Sequence, residues 1–149
     1  MADSANDIEL RFHHGGISVP DLDASIAWYQ RMLGFDVEKR FHIPQIPADV
    51  AMLQRGNLRL ELFQVPNAHA LPEDRRHPDR DNRTHGNKHV AFAVRDVKAV
   101  ERTLRARGAD IALVVDAAHG AGFFVRDNSG NLIEFVREDG LWLEDNAGD

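Results

Sequence analysis

Apolar and polar residues follow two rhythms along this chain, and the two rhythms occur twice in the same order. Leu22, Ile26, Tyr29 and Leu33 recur at spacings of three and four, the period of a helix with one buried stripe, and Val97, Val100 and Leu104 do the same. Asp21 and Asp96 stand where an N-cap accepts backbone N–H groups, and Gly34 and Gly108 stand where a helix closes. A short period-two stretch precedes each helix, at 14–19 and 89–94. Behind each helix come three more strand-like runs: 35–41, 49–54 and the run after Gly56-Asn57 in the first half, then 111–115, 121–126 and the run after Gly130-Asn131 in the second.

The halves therefore read as an internal repeat. His14 and His89 are 75 residues apart, as are Asp21 and Asp96, while Glu61 and Glu134 are 73 apart. The expected fold is α+β, with two tandem βαβββ modules forming a curved, partly open mixed sheet around a central cavity. The chain 1–149 reads as one domain: a first module at 8–65, a linker or flap at 66–87, a second module at 88–137 and a tail at 138–149. The 66–87 segment is rich in Pro, Asp, Arg, Asn and His and has no period. The tail is mostly acidic apart from Leu141-Trp142-Leu143, a triplet expected to pack on the body or on a second subunit.

Strand parity separates the chemistry from the core. His14, Gly16 and Ser18 share one face and Ile17 and Val19 the other; His89 lies with Ala91 and Ala93, opposite Val90, Phe92 and Val94. Glu61 stands opposite Leu60 and Leu62, whereas Glu134 shares its parity with Leu132 and Val136, a less clean division. If the apolar faces pack on the helices, the opposite faces line a cavity and bring in His14, Glu61, His89 and Glu134. Two imidazoles and two carboxylates suit a divalent transition ion; nickel, cobalt, zinc, iron and manganese all accept such donors.

Composition narrows the chemistry further. There are no cysteines in the 149 residues, so disulfides, thiolate nucleophiles and Cys-ligated metals are excluded. The formal charge is −6, and no basic run is longer than Arg75-Arg76, which argues against a nucleic-acid or membrane-surface footprint. Neither a signal peptide nor a membrane span is read, and the expected location is cytoplasmic. With 43% hydrophobic residues the chain can bury a sizeable core.

The run His14-x-Gly16-Ile17-x-Val19-x-Asp21-Leu22 is followed by Ser25 and by Trp28-Tyr29-Gln30-x-x-Leu33-Gly34-Phe35. Glu61, His89-Val90-Ala91-Phe92 and Asp127-Asn128-Ser129-Gly130-Asn131-Leu132-Ile133-Glu134 complete a pattern that resembles the vicinal oxygen chelate superfamily of glyoxalases, methylmalonyl-CoA epimerases, fosfomycin and bleomycin resistance proteins and extradiol dioxygenases. The resemblance runs from about Leu10 to Arg137. It places the metal ligands on His14, Glu61, His89 and Glu134, a set that looks most like that of the glyoxalase I and epimerase families. It implies a lyase or isomerase that transfers a proton beside a carbonyl through a metal-chelated enediolate. The general base would be Glu134, favoured by the resemblance, or Glu61. The alternatives are an Fe(II) or Mn(II) ring-cleaving dioxygenase and a metal-free drug-binding resistance protein of the same fold. Members with two modules often pair, so a homodimer is expected, with the site within one chain or between two.

Arg59 and Phe63 share the parity of Glu61, and Phe123 or Phe124 and Arg126 come from the strand before the Gly130 turn. These are the candidate contacts for a small substrate with vicinal oxygens, anionic if the arginines face it. Arg75, Arg76, Arg80, Arg83 and Lys88 offer a cationic groove that Glu73, Asp74, Asp79 and Asp81 interrupt.

Overall fold

A computed structural model describes residues 8–117 and 120–137, so Leu141-Trp142-Leu143 lie outside the described residues. Each half is built as strand, helix and three strands. In the first half these are β1 (Gly15–Ser18), α1 (Leu22–Leu33), β2 (Asp36–Ile43), β3 (Ala48–Arg55) and β4 (Leu58–Gln64). In the second they are β5 (Val90–Ala93), α2 (Val97–Ala106), β6 (Asp110–Ala117), β7 (Gly120–Arg126) and β8 (Leu132–Val136). The mixed sheet resolves into two four-stranded halves, ordered β1-β4-β3-β2 and β5-β8-β7-β6. In each, the first strand lies parallel to the last and the remaining ladders are antiparallel. The parallel pairing follows from the helical crossover, which returns the chain beside its starting strand.

Both helices start and stop on the residues that the sequence marks. Asp21 accepts from the Ala24 N–H and Asp96 from the Ala99 N–H, each at 2.9 Å. Gly34 and Gly108 follow the helices at φ of 68° and 81°, in the left-handed region where a Cβ is costly. The helices are not equally embedded. α1 buries Leu22, Ser25, Ile26, Trp28, Tyr29, Met32 and Leu33, whereas α2 buries Val97 and Leu104.

One apolar core runs through both halves, from Tyr29, Leu33, Phe35, Leu53 and Leu62 to Phe123, Val125, Ile133 and Phe135. The Tyr29 hydroxyl crosses it to donate to Asp127 Oδ2 at 3.0 Å. Burial, then the neighbouring Asp127 charge and the hydrogen bond, push the Tyr29 hydroxyl well above its ordinary pKa. Asp127 Oδ1 also accepts from the Ser129 and Asn131 N–H groups, so one carboxylate fixes the β7–β8 turn and ties it to α1. Arg107 Nη1 adds a bond to the Met32 carbonyl at 2.6 Å.

The 66–87 segment carries 3₁₀ turns at Glu73–Arg76 and Asp81–Arg83. Arg75 donates to the Thr84 and Asn87 carbonyls, and Arg126 Nε donates to the Arg76 carbonyl, which docks the segment on β7 as a strap. Among the described residues no helix is long and apolar enough to cross a membrane.

Candidate metal centre

In both halves the site is set by one register. Gly16 of β1 lies opposite Glu61 of β4, and Ala91 of β5 lies opposite Glu134 of β8. Each histidine stands two residues earlier, just ahead of its strand and on the parity of that small residue. A glycine or alanine leaves room for the glutamate to lean across. His14 Nε2 lies 3.0 Å from Glu61 Oε2, and His89 Nε2 lies 3.0 Å from Glu134 Oε2. Space beside Gly16 is already limited, since a Cβ there would sit 3.4 Å from the Phe63 ring.

The neighbours of the two pairs differ. The His89 ring stands edge-on to Phe124, with centroids 5.0 Å apart, and its Nδ1 lies 3.6 Å from Asp81 Oδ2. Asp81 is buried, and its Oδ1 is 3.2 Å from Arg75 Nη1, an ion pair without hydrogen-bond alignment. Behind His14 stands a second imidazole, with His13 Nδ1 and His14 Nδ1 2.6 Å apart.

Each pair presents one imidazole nitrogen and one carboxylate, partly open to solvent, and these donors fit a divalent transition ion. His14, Glu61, His89 and Glu134 are the residues able to hold one. The structure brings them together as two pairs. Among the described residues no three His, Asp or Glu side chains gather so that they could hold one ion.

The expected substrate contacts fall in different places. Phe63 lies on the polar face beside Gly16. Phe123 is fully buried and stacked on Phe135 in the core, so Phe124, the neighbour with opposite parity, is the ring beside His89. Arg59 forms a two-pronged pair with Glu38 at 2.9 and 3.2 Å, and Arg126 one with Asp110, both distances 3.1 Å. The strap cations are mostly paired too, Arg75 with Asp81, Arg76 with Glu73 and Arg80 with Asp74.

A cavity of about 480 Å³ lies where β1, β5 and the strap meet, lined by Gly16, Ser18, Leu71, Lys88, His89 and Asn131 among others. The Lys88 ammonium is enclosed and makes no hydrogen bond among the described residues. The sequence places Lys88 among the cations of the groove and Asp81 only among the acids that interrupt it, not beside His89. Nothing local distinguishes Asp81 from the other acids of an aperiodic segment; its burial appears only once the strap has folded against β5.

Comparisons with known proteins bear on the family and the fold. Residues 11–135 match the sequence profile of the Glyoxalase/Bleomycin resistance protein/Dioxygenase superfamily. The mitochondrial methylmalonyl-CoA epimerase of Homo sapiens is 28% identical over 97 residues, which span 64% of this chain and 52% of that protein, about half its length. The glyoxalase family protein from Enterococcus faecalis superposes with a TM-score of 0.71 at 25% identity, over 85% of this chain and 97% of that one. The trypanothione-dependent glyoxalase I of Leishmania major gives 0.69 at 25% identity, over 93% and 94%.

Proposed function

Because this chain belongs to the Glyoxalase/Bleomycin resistance protein/Dioxygenase superfamily, we propose that it is a divalent-metal-dependent lyase or isomerase that moves a proton beside a carbonyl. The observation that carries this reading is the duplicated His–Glu pair, 3.0 Å in each half and set on the same register. His14, Glu61, His89 and Glu134 are the proposed ligands.

Two half-sets in one chain become whole sets when two chains associate about a twofold axis, one pair from each chain at each of two equivalent sites. An exposed apolar stripe supports a second copy: Ile8, Leu10 and Phe12 alternate with polar residues and are 70%, 84% and 77% exposed.

A bound divalent ion supplies Lewis-acid polarisation of a carbonyl, which acidifies the neighbouring C–H. Glu134 is the proposed base. Its side chain is the more open of the two glutamates, 25% against 15%, and the Phe124 ring stands against its partner His89. The carboxylate takes the proton from carbon and, as a carboxylic acid, returns it to the adjacent carbon on the same face, with no net oxidation; inversion at the first carbon would need Glu61 to supply the proton from the opposite face. Phe63 would cover the reacting group from the first half.

Metal analysis of tag-free protein with native mass measurement tests the proposal. The expected result is a dimer carrying stoichiometric divalent metal that is lost in Glu61→Ala and His89→Ala, with turnover of α-ketoaldehyde thiol adducts or acyl-CoA thioesters. Metal-free wild type, oxygen uptake with catechols alone, or tight ligand binding that survives chelation would each overturn it.

A further inference from the structure

We infer that Lys88 is the anchor for a carboxylate carried by the substrate, held in the cavity where β1, β5 and the strap meet. The inference deepens the metal-dependent reading by naming what its substrate carries, and rests on that reading for turnover but not for binding. The cavity, about 480 Å³, is of the size that takes a small ligand. Its walls include Ile17, Leu71, Val90 and Leu132, with Ser18 and Asn131 as uncharged polar groups. Two cations line it, Arg75 and Lys88, and among the described residues no Asp or Glu does. Arg75 is committed elsewhere, to Asp81 and to the Thr84 and Asn87 carbonyls. Lys88 Nζ has no hydrogen-bond partner among the described residues. Arg59 and Arg126, expected from the sequence to meet an anion, are paired with Glu38 and Asp110, which leaves Lys88 to do so.

An ammonium shut away from water without a partner is costly, and a carboxylate that reaches it relieves that cost with a charge-assisted hydrogen bond. Lys88 belongs to the cavity wall and carries its charge on a flexible four-carbon stem, so a turn of the stem presents Nζ to a ligand. One unpaired ammonium suits one carboxylate. A phosphate ester brings more acceptor oxygens than one ammonium answers, and the arginine in the lining is already taken. The apolar walls suit a short aliphatic chain behind the carboxylate. His89 lines the same cavity, which puts the anchor beside a proposed metal ligand.

The chain has three lysines, Lys39, Lys88 and Lys98, so ¹³Cε-labelled lysine gives three signals that Lys88→Met assigns. The experiment titrates the whole chain, treated with chelator, with butyrate, with its neutral isostere butyramide and with inorganic phosphate. Butyrate is expected to move the Lys88 signal saturably and leave Lys39 and Lys98 in place, while butyramide moves none of them. Lys88→Met should weaken butyrate binding, followed by backbone amide shifts, by about 10–100-fold. It should also unfold at an equal or higher temperature, because an enclosed unpartnered charge has gone. Should Lys88→Met fail to fold, Lys88→Gln decides in its place. Equal responses to butyrate and butyramide, or butyrate binding that survives the substitution, overturn the inference. A larger response to phosphate at equal concentration overturns the assignment to a carboxylate. Butyrate bound at Lys88 in a protein that takes up no divalent metal overturns the metal reading instead, so the two failures are separable.

Discussion

Behind His14 in the first half stands His13; behind His89 in the second stand a buried carboxylate, Asp81, and the edge of Phe124. The His–Glu distances are the same, 3.0 Å in both halves. Register therefore fixes the pair, and what lies behind the pair is free to differ. The strap follows the first module in sequence but supports the second, through Asp81 on His89 and through the Arg76 carbonyl on Arg126. The helices diverge in the same way, since α1 buries seven residues and α2 two. The two halves carry the same donor pair in different settings, with a buried carboxylate and an aromatic edge beside the second and most of the helical packing in the first.

The sharpest test of that difference compares the two glutamates. Glu134→Gln is expected to lower kcat by about 10²–10⁴-fold, the usual contribution of a positioned base. Glu61→Gln should instead raise the metal concentration needed for activity and, at saturating metal, leave kcat within about tenfold of wild type. Steady-state kinetics across a metal titration separates the two, and equal losses of kcat would show that the halves share the proton transfer.

The turn glycines provide a second contrast, in stability. Gly56 and Gly130 both precede an asparagine that leads into a glutamate strand, at φ of 58° and 90°. A Cβ at Gly56 meets nothing within 4 Å, whereas one at Gly130 would collide with the Arg76 guanidinium. Gly56→Ala should cost about 1 kcal/mol, from backbone conformation alone. Gly130→Ala should cost about 1–3 kcal/mol, because its φ of 90° is strained for any side chain and the Arg76 guanidinium must swing aside. Denaturant unfolding with equal m-values checks this, and equal losses would show that the Arg76 side chain moves aside without cost.

Much of this architecture can be read from the residues, and the limits have physical causes. Asp21, Asp96, Gly34 and Gly108 mark both helices because capping is local, decided within one turn of the chain. The 73- and 75-residue spacings gave the four donors because strand parity is also local. Phe123 against Phe124 was harder: adjacent aromatics on β7 differ only in face, and choosing the face requires knowing which side meets the helices. Asp81 left no mark, since its place depends on a strap folding onto a strand that follows it. Nor does sequence show that Arg59 and Arg126 are already paired, because Glu38 and Asp110 lie 21 and 16 residues away.

A comparable effect concerns the contact that joins the halves. In Tyr29→Phe the Asp127 carboxylate keeps its bonds to Ser129 and Asn131 and loses the one from α1. The expected cost is about 1.5–3 kcal/mol, the usual range for a hydrogen bond to a charged partner. The turn itself should stay ordered. Thermal unfolding measures the loss, and a single transition in both proteins would show that the halves still unfold as one unit. Two transitions would make Tyr29 the hinge of their cooperativity.

The smallest effect decides whether Arg59 is free to meet a substrate. Glu38 is held below the usual carboxylate range, first by its hydrogen bond from Arg59 and then by the nearby positive charges, and Arg59 is correspondingly raised. A carboxylate with a depressed folded-state pKa adds stability above its unfolded pKa and loses it as pH falls through the folded value. Any contribution from this pair should therefore be full at neutral pH and disappear only in acid, below the range where ordinary glutamates titrate. Arg59→Met should return Glu38 to the ordinary range, a shift that side-chain carboxyl NMR resolves, and should move the midpoint of thermal unfolding little, as expected for an exposed pair. If the variant leaves the Glu38 titration unchanged but raises KM for an anionic substrate, Arg59 serves the cavity rather than the strand edge. If Glu38 shifts and KM does not, β4 contributes only Glu61 and Phe63 to the polar face.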